Sequence, residues 1–439
     1  MLKRRMRIAL LFFILCFLPA GCGKDEVRRH EDGRIIVTIS DLAANSDYEY
    51  DVVAKGVTLF NQSNPDYYVE ILEKENGQEV SDYAQRERLA LSTNAGPDIF
   101  SNNTDYMFAS DAENGIMEDL MPYIERDLNP DDFLECSLYA YAKDGKVFAL
   151  EPSFVICTMI GDEAIFGERT GWNMEDAQQI MEANPQIALY MDCYGNEGEF
   201  LRSFLFQGDA VYTDYDALRE AVYFDKAYHG SLPEDVMAIP GENVMVEQAN
   251  IYDPLDLVDL EALYEKKIVP IGYVNENKQG NYHEGKALSI NASSKQKEGA
   301  WEFLKFLLSE EFQRECVTIE ISPRKDIFEE RLEYYSKPIS YNLFLEDIGE
   351  EVTVTENHSL NRASNAKRTV VEVECASKEQ IDKFRLMVES SRTNCFSKDY
   401  KVVDLIREEV DFYFSGERTL DDVMSNIQKR LELYYAEKQ

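Results

Sequence analysis

The chain has 439 residues, 44% of them hydrophobic, so it can bury a large core and is too long for one ordinary domain. Its 83 acidic and 45 basic side chains leave a formal charge of −38, and so acidic a surface repels phosphate backbones and anionic headgroups, which argues against a nucleic-acid role. Aromatic residues make up 12%, enough to supply both core rings and a few rings free to stack on a ligand.

At the amino end, Lys3, Arg4, Arg5 and Arg7 precede an unbroken apolar run from Ile8 to Leu18. That run is too short to span a bilayer and suits the core of a signal peptide. Pro19-Ala20-Gly21-Cys22 follows and resembles a lipobox, although Pro19 stands where the motif usually has Leu. Residues 1–21 are therefore expected to be a lipoprotein signal peptide and Cys22 the lipidation site, two acyl chains being enough for stable anchoring. The alternative is an ordinary secretory signal cleaved near Ala20. Residues 22–33 are charged and aperiodic and read as a tether between lipid and fold.

Six cysteines then remain, Cys136, Cys157, Cys193, Cys316, Cys375 and Cys395, widely spaced and without a C-x-x-C, so neither a zinc site nor a redox pair is indicated. The four histidines, His30, His229, His283 and His358, include no H-E-x-x-H, and no G-x-S-x-G is present. No catalytic residue, metal or cofactor is expected. A glycosidase carboxylate pair is not excluded by counting, so a lipid-anchored glycoside hydrolase stays open, as does a non-transport sensory or adhesion lipoprotein.

In chain order the mature sequence reads as α/β. Arg34 to Ser40 is β-branched and dense enough for a buried strand, and Tyr50 to Phe60 follows with helical spacing of its apolar residues. Asn64-Pro65-Asp66 breaks the chain before a strand from Tyr68 to Leu72. A second helix, Tyr83 to Leu91, ends in Asn94-Ala95-Gly96-Pro97, and a third strand starts at Asp98. Strand–helix–strand–helix–strand is a doubly wound unit, whose ligands sit beyond the carboxyl ends of the strands. Asp41, Asn102 and Asn103 stand there, which makes them candidate ligand-binding residues on position alone. Further on, Ser293 with Gln296 is spaced for a capping box before Ala300, Phe303, Leu304 and Leu307, which share one helix face. Val403, Ile406, Val410 and Phe414 form another stripe, stopped at Gly416; Thr419 with Asp422 caps a last helix carrying Val423, Ile427 and Leu431.

Several of these segments carry a family resemblance. Phe60 to Ile71, A-G-P-D-I-F at Ala95 to Phe100, Met117 to Ile124, D-G-K-V-F-A-L-E-P at Asp144 to Pro152, and G-W-N-M-E-D at Gly171 to Asp176 occur in order. Val269-Pro270-Ile271-Gly272, the run from Ala287 to Leu307, Ser322 to Asp326 and the closing helical pair continue the series. Together they resemble the extracellular solute-binding proteins of ABC importers, family 1, which includes maltodextrin-binding proteins. The departure is Leu150-Glu151-Pro152, where the family usually has Leu-Pro.

The resemblance implies a two-lobed periplasmic-binding-protein-like fold, each lobe a sheet flanked by helices. Lobe 1 would hold residues 34–150 and 288–384, and lobe 2 residues 152–286 and 392–439. Three crossings, near 149–153, 287–290 and 386–392, would make the hinge. It implies a monomer on the outer face of the cytoplasmic membrane that binds a small-molecule solute, an oligosaccharide by preference, and hands it to permease subunits of an ABC transporter. Tyr252, in N-I-Y-D-P, is similar in position to an aromatic that the family uses against sugar rings. Tyr273, after the Val269-Pro270 motif, is the remaining ligand candidate, while Trp172 is expected to pack at a helix start. The polar stretch 350–367 matches no family signature and reads as a loop insertion.

Overall fold

The computed structural model describes residues 27–40, 51–73, 80–101, 108–185, 188–190, 201, 204–205, 214–228, 244–275, 278, 280–345, 350–364, 367–393 and 400–437. The first sheet is built from β1 (Ile35–Ser40), β2 (Tyr67–Leu72), β3 (Ile99–Ser101) and β11 (Leu288–Ile290), in the order β11-β3-β1-β2. β1 runs parallel to β2 and β3, as the strand–helix–strand pattern requires, and β11 returns antiparallel to β3. Val37 and Ile39 of β1 are fully buried against Phe60, Trp301, Phe303 and Leu304, which close the core of this first lobe.

Local chemistry sets the element ends. Asp51 caps the helix Val52–Ser63 by accepting from the amides of Val53 and Ala54 at 2.9 and 3.0 Å. Asn64 ends it, and its Oδ1 accepts from the amides of Asp66 and Tyr67, turning the chain into β2. The A-G-P-D motif is structural: Asp98 accepts from the Thr38 amide and hydroxyl at 2.8 Å each and from Ser294, tying β1, the start of β3 and the loop after β11 together.

After a short hairpin of β4 (Ala142–Lys143) with β5 (Lys146–Val147), the second sheet contains β6 (Phe154–Asp162), β7 (Ala188–Tyr190), β8 (Val244–Ile251), β9 (Ile268–Pro270) and β10 (Tyr282–Gly285). β6 pairs antiparallel with β8 on one side and with β10 and β9 on the other, while β7 adds parallel to β8. Its core joins Met159, Trp172, Phe224 and Ile271 to Val403, Ile406, Val410, Val423, Ile427 and Leu431, so both terminal helical stripes face inward. Trp172 is fully buried and donates from Nε1 to the Gly272 carbonyl at 2.7 Å, which accounts for it as packing at a helix start. Thr419 and Asp422 cap the helix Leu420–Glu437, with Thr419 Oγ1 accepting the Asp422 amide at 3.2 Å.

Two expectations need correction. The helix Lys297–Leu307 starts after Gln296, which is itself the N-cap residue, and Ser293 turns its hydroxyl to Asn291 Oδ1 at 2.7 Å. The helix starts too far along for Ser293 to cap its first amides, so the capping box does not form. The stretch read as a loop insertion lies in two antiparallel hairpins, β12 (Ile339–Leu345) with β13 (Glu350–Glu356) and β14 (His358–Ser364) with β15 (Lys367–Val373). The alternating Val352, Thr353, Val354, Thr355 and the run Thr369-Val370-Val371 carried that signal, masked by the charged residues between them.

A third apolar cluster lies beside the start of β6. It packs Leu134 of the first lobe with Phe154, Ile156, Ile251 and Leu255 of the second, and adds Phe328, Leu332, Phe384 and Val388 from the helices Lys325–Tyr335 and Lys378–Ser390. Among the described residues, Cys136, Cys157, Cys316 and Cys375 form no disulfide, and no helix is long and apolar enough to cross a membrane.

Candidate functional site

The two sheets meet through a narrow set of chain crossings. Leu150 and Leu288 exchange backbone hydrogen bonds of 3.1 and 2.8 Å on the first-lobe side. A few residues on, β6 and β10 pair from Phe154↔Gly285 to Cys157↔Tyr282. The outgoing and returning chains therefore form one antiparallel ribbon. The third crossing lies beside it: the His283 amide donates to the Arg392 carbonyl at 3.1 Å, and the Arg392 amide to the Asn281 carbonyl at 3.3 Å. Gln313 braces the first crossing from the helix Glu310–Cys316, donating to the Pro152 carbonyl at 2.8 Å.

Polar side chains converge where the crossings touch. Glu151 and His283 have fully buried side chains, with His283 Nε2 3.1 Å from Glu151 Oε1 but without hydrogen-bond alignment. Glu151 accepts from the Ser137 hydroxyl at 3.1 Å and the Tyr141 hydroxyl at 3.2 Å. On the other side of the imidazole, Nδ1 lies 2.9 Å from Ser391 Oγ, and the Ser391 hydroxyl donates to the Val388 carbonyl at 2.8 Å. Cys136 is hydrogen-bonded to Ser391, and burial pushes its thiol up to about 12, which keeps it protonated and inert.

The crossings attach at the carboxyl edge of the first sheet, because Leu288 pairs with both Leu150 and Ser101, the last residue of β3. The ends of β1 and β3 thus open toward the junction between the lobes. Asp51, at the start of the helix that follows β1, is paired there with Lys286 of the second crossing. Asp41, Asn102 and Asn103 follow these strand ends in sequence but lie outside the described residues, as does Cys22.

On the second lobe, β8 ends at Ile251 opposite Ile156, close to the crossings, and Tyr252 follows. Tyr252 is 37% exposed. It borders a shallow recess whose wall includes Asp253, Ile319, Glu320, Arg331 and Tyr335. Asp253 and Asp256 form a capping box at the start of the helix Pro254–Tyr264, and Asp256 Oδ2 accepts the Tyr252 amide at 2.7 Å, which fixes the backbone under the ring. Burial, then the neighbouring Asp253, pushes the Asp256 carboxyl up to about 7. Burial, then Glu320 and Asp256, raises the Tyr252 hydroxyl, so the ring presents a neutral O–H beside acceptors. This suits polyhydroxyl recognition: a fixed aromatic face with carboxylates at its edge.

Tyr273 is placed differently. It is 1% exposed in the core of the second lobe, with its ring centroid 6.0 Å from that of Tyr282. Of the candidates within the described residues, only Tyr252 stands at the junction with its ring accessible. Glu151, His283, Ser391, Lys286 and Glu320 escaped sequence reasoning. The one available signal was the Glu between Leu150 and Pro152; the partners come from distant segments.

No family model matches the sequence, and no curated protein does so. Solved structures do. The sugar-binding protein MalE of Xanthomonas citri is 15% identical over 92% of this chain and 98% of its own, with a TM-score of 0.57. An ABC substrate-binding protein of Listeria monocytogenes in complex with cycloalternan is 15% identical over 92% and 99%, with a TM-score of 0.52. An extracellular solute-binding protein family 1 member from Alicyclobacillus acidocaldarius is 13% identical over 90% and 97%, also at 0.52. The architecture is therefore that of the two-lobed substrate-binding proteins. Within that class, the chain has the fold of extracellular solute-binding protein family 1.

Proposed function

We propose that this chain is a lipid-anchored extracellular solute-binding protein that captures a carbohydrate between its lobes and delivers it to an ABC transporter permease. The observation that carries the reading is the junction itself. Two separately cored sheets joined by three short crossings can rotate as bodies while torsion changes stay within a few residues. A solute touching both lobes then favours closure through its differential affinity for the closed form. The carbohydrate class is supported by the accessible Tyr252 ring beside Glu320, and by the likeness to proteins that carry cycloalternan or, in a cyclo/maltodextrin-binding protein, maltotetraose. Asp41, Asn102, Asn103 and Tyr252 are the proposed ligand contacts; Tyr273 would take part only if closure uncovers it. The lobe limits proposed are 34–150 with 288–384 and 152–286 with 392–439, the segment 325–390 also packing on the second lobe.

Mass spectrometry of small molecules that co-purify, followed by calorimetry against a glycan panel, tests the solute class. Binding of an oligosaccharide without turnover is the expected result, and sustained hydrolysis abolished by one cleft carboxylate would establish the enzyme instead. The anchor rests on Cys22. A fatty-acid analogue should label the wild type and not Cys22→Ala; equal labelling of both removes the anchor from the proposal.

A further inference from the structure

Three fully or nearly buried polar residues, one from each crossing, meet at the centre of the junction: Glu151, His283 and Ser391. Burying a carboxylate and an imidazole together is costly, and well-packed apolar residues often serve stability as well or better. Such a cluster is best explained by the position it specifies. Glu151 is bound to the first lobe through Ser137 and Tyr141, and it faces His283 on the returning chain. His283 in turn reaches Ser391, whose hydroxyl is held by Val388 at the end of the helix Lys378–Ser390. The backbone is equally close: a Cβ at Gly285 would come within 2.3 Å of the Ser153 carbonyl oxygen and 2.6 Å of Glu151 Oε2, so the second crossing lies directly on the carboxylate.

We propose that Glu151, His283 and Ser391 form a latch across the hinge, a set of positioning residues that holds the three crossings in register and sets how readily the lobes move. None of them needs to touch solute. Rotation of the lobes must either carry the cluster as a unit or separate Glu151 from His283, leaving the carboxylate to Ser137 and Tyr141 and the imidazole to Ser391. Cys136, hydrogen-bonded to Ser391, and Tyr141, hydrogen-bonded to Glu151, pack on the cluster. Arg392 stacks its guanidinium over the Tyr282 ring at 5.3 Å and donates to the Tyr282 hydroxyl at 3.1 Å, outside the Glu151–His283 contact. This inference rests on the hinged reading above, but it is tested without any solute, so its failure leaves solute capture standing.

The test is amide hydrogen exchange, read by mass spectrometry at one fixed pH, on the wild type, Glu151→Gln, His283→Gln, the double variant and Ser391→Ala. Losing one partner of a buried polar pair should speed exchange about tenfold to a hundredfold in peptides covering 150–156, 281–285 and 390–393. Peptides of β1 and of the helix Tyr400–Phe414 should change less than about twofold. The double variant should open the crossings no faster than the worse single variant, because the residues act as one unit. Acceleration spread evenly over the chain would mean an ordinary loss of stability and would overturn the latch. So would unchanged exchange at the crossings, or single-variant effects that multiply in the double. Should a Glu151 or His283 variant not fold, Ser391→Ala, which removes one hydroxyl, gives the same local readout.

Discussion

An oligosaccharide that bridges the lobes is expected to raise the melting temperature and shrink the radius of gyration in the same titration. The first effect follows from linkage, since the solute binds the folded chain and not the unfolded one. At a hundredfold above Kd it contributes about 2.7 kcal/mol, ample for a thermal-shift measurement. The second is expected of the proposed hinge, in which the lobes close as bodies about the crossings. Tyr252→Ala should weaken binding about tenfold or more by removing a fixed aromatic face. Because Tyr252 keeps 37% of its surface exposed, the same change should cost the unliganded protein about 1–2 kcal/mol, less than a core aromatic truncation does. Small-angle scattering with and without solute, run beside calorimetry on both proteins, checks the whole set. Tight binding with no compaction would remove the hinge mechanism, and a large drop in the unliganded melting temperature of Tyr252→Ala would make the ring a packing residue.

The second large effect concerns the first-lobe core. Trp301 is fully buried in the helix Lys297–Leu307, and its Nε1 donates to Asp127 Oδ2 at 2.6 Å. Asp127 is itself held by Arg126, which keeps its carboxyl down at about 2. Trp301→Ala removes the indole from among Tyr123, Phe303 and Leu304 and leaves a cavity; about 3–5 kcal/mol of stability should be lost. Trp301→Phe keeps most of the volume and loses the hydrogen bond, so about 1–2 kcal/mol is expected. Chemical denaturation of the three proteins measures both. Solute affinity per folded molecule should stay unchanged, since Trp301 belongs to the core cluster and not to the junction. An affinity loss with intact stability would mean that this helix lines the cleft.

How much was legible beforehand differs between fold and site. The first five elements, from β1 to β3, fall within three residues of the positions read from periodicity and turn chemistry, because capping groups such as Asp51 and Asn64 act on their immediate neighbours. The two hairpins between 339 and 373 were missed for a related reason. Strand pairing is not a local interaction, and alternating Val and Thr among charged residues resembles a solvated loop until the partner strand is present.

Alone, the amino-acid sequence determined the class of architecture: strands and helices in alternation at the amino end, and the inward stripes of the last two helices. Those features depend on spacings of two to four residues, which a single chain displays directly. Only the tertiary structure decided which polar residues matter at the junction. Glu151, His283 and Ser391 are separated by more than a hundred residues at each step, and their contacts exist because three crossings happen to share one buried point. It also separated two tyrosines that look alike in sequence, leaving Tyr252 accessible at the junction and Tyr273 in the core. Burial at such positions is a property of how the lobes pack, and no local pattern in the chain encodes it.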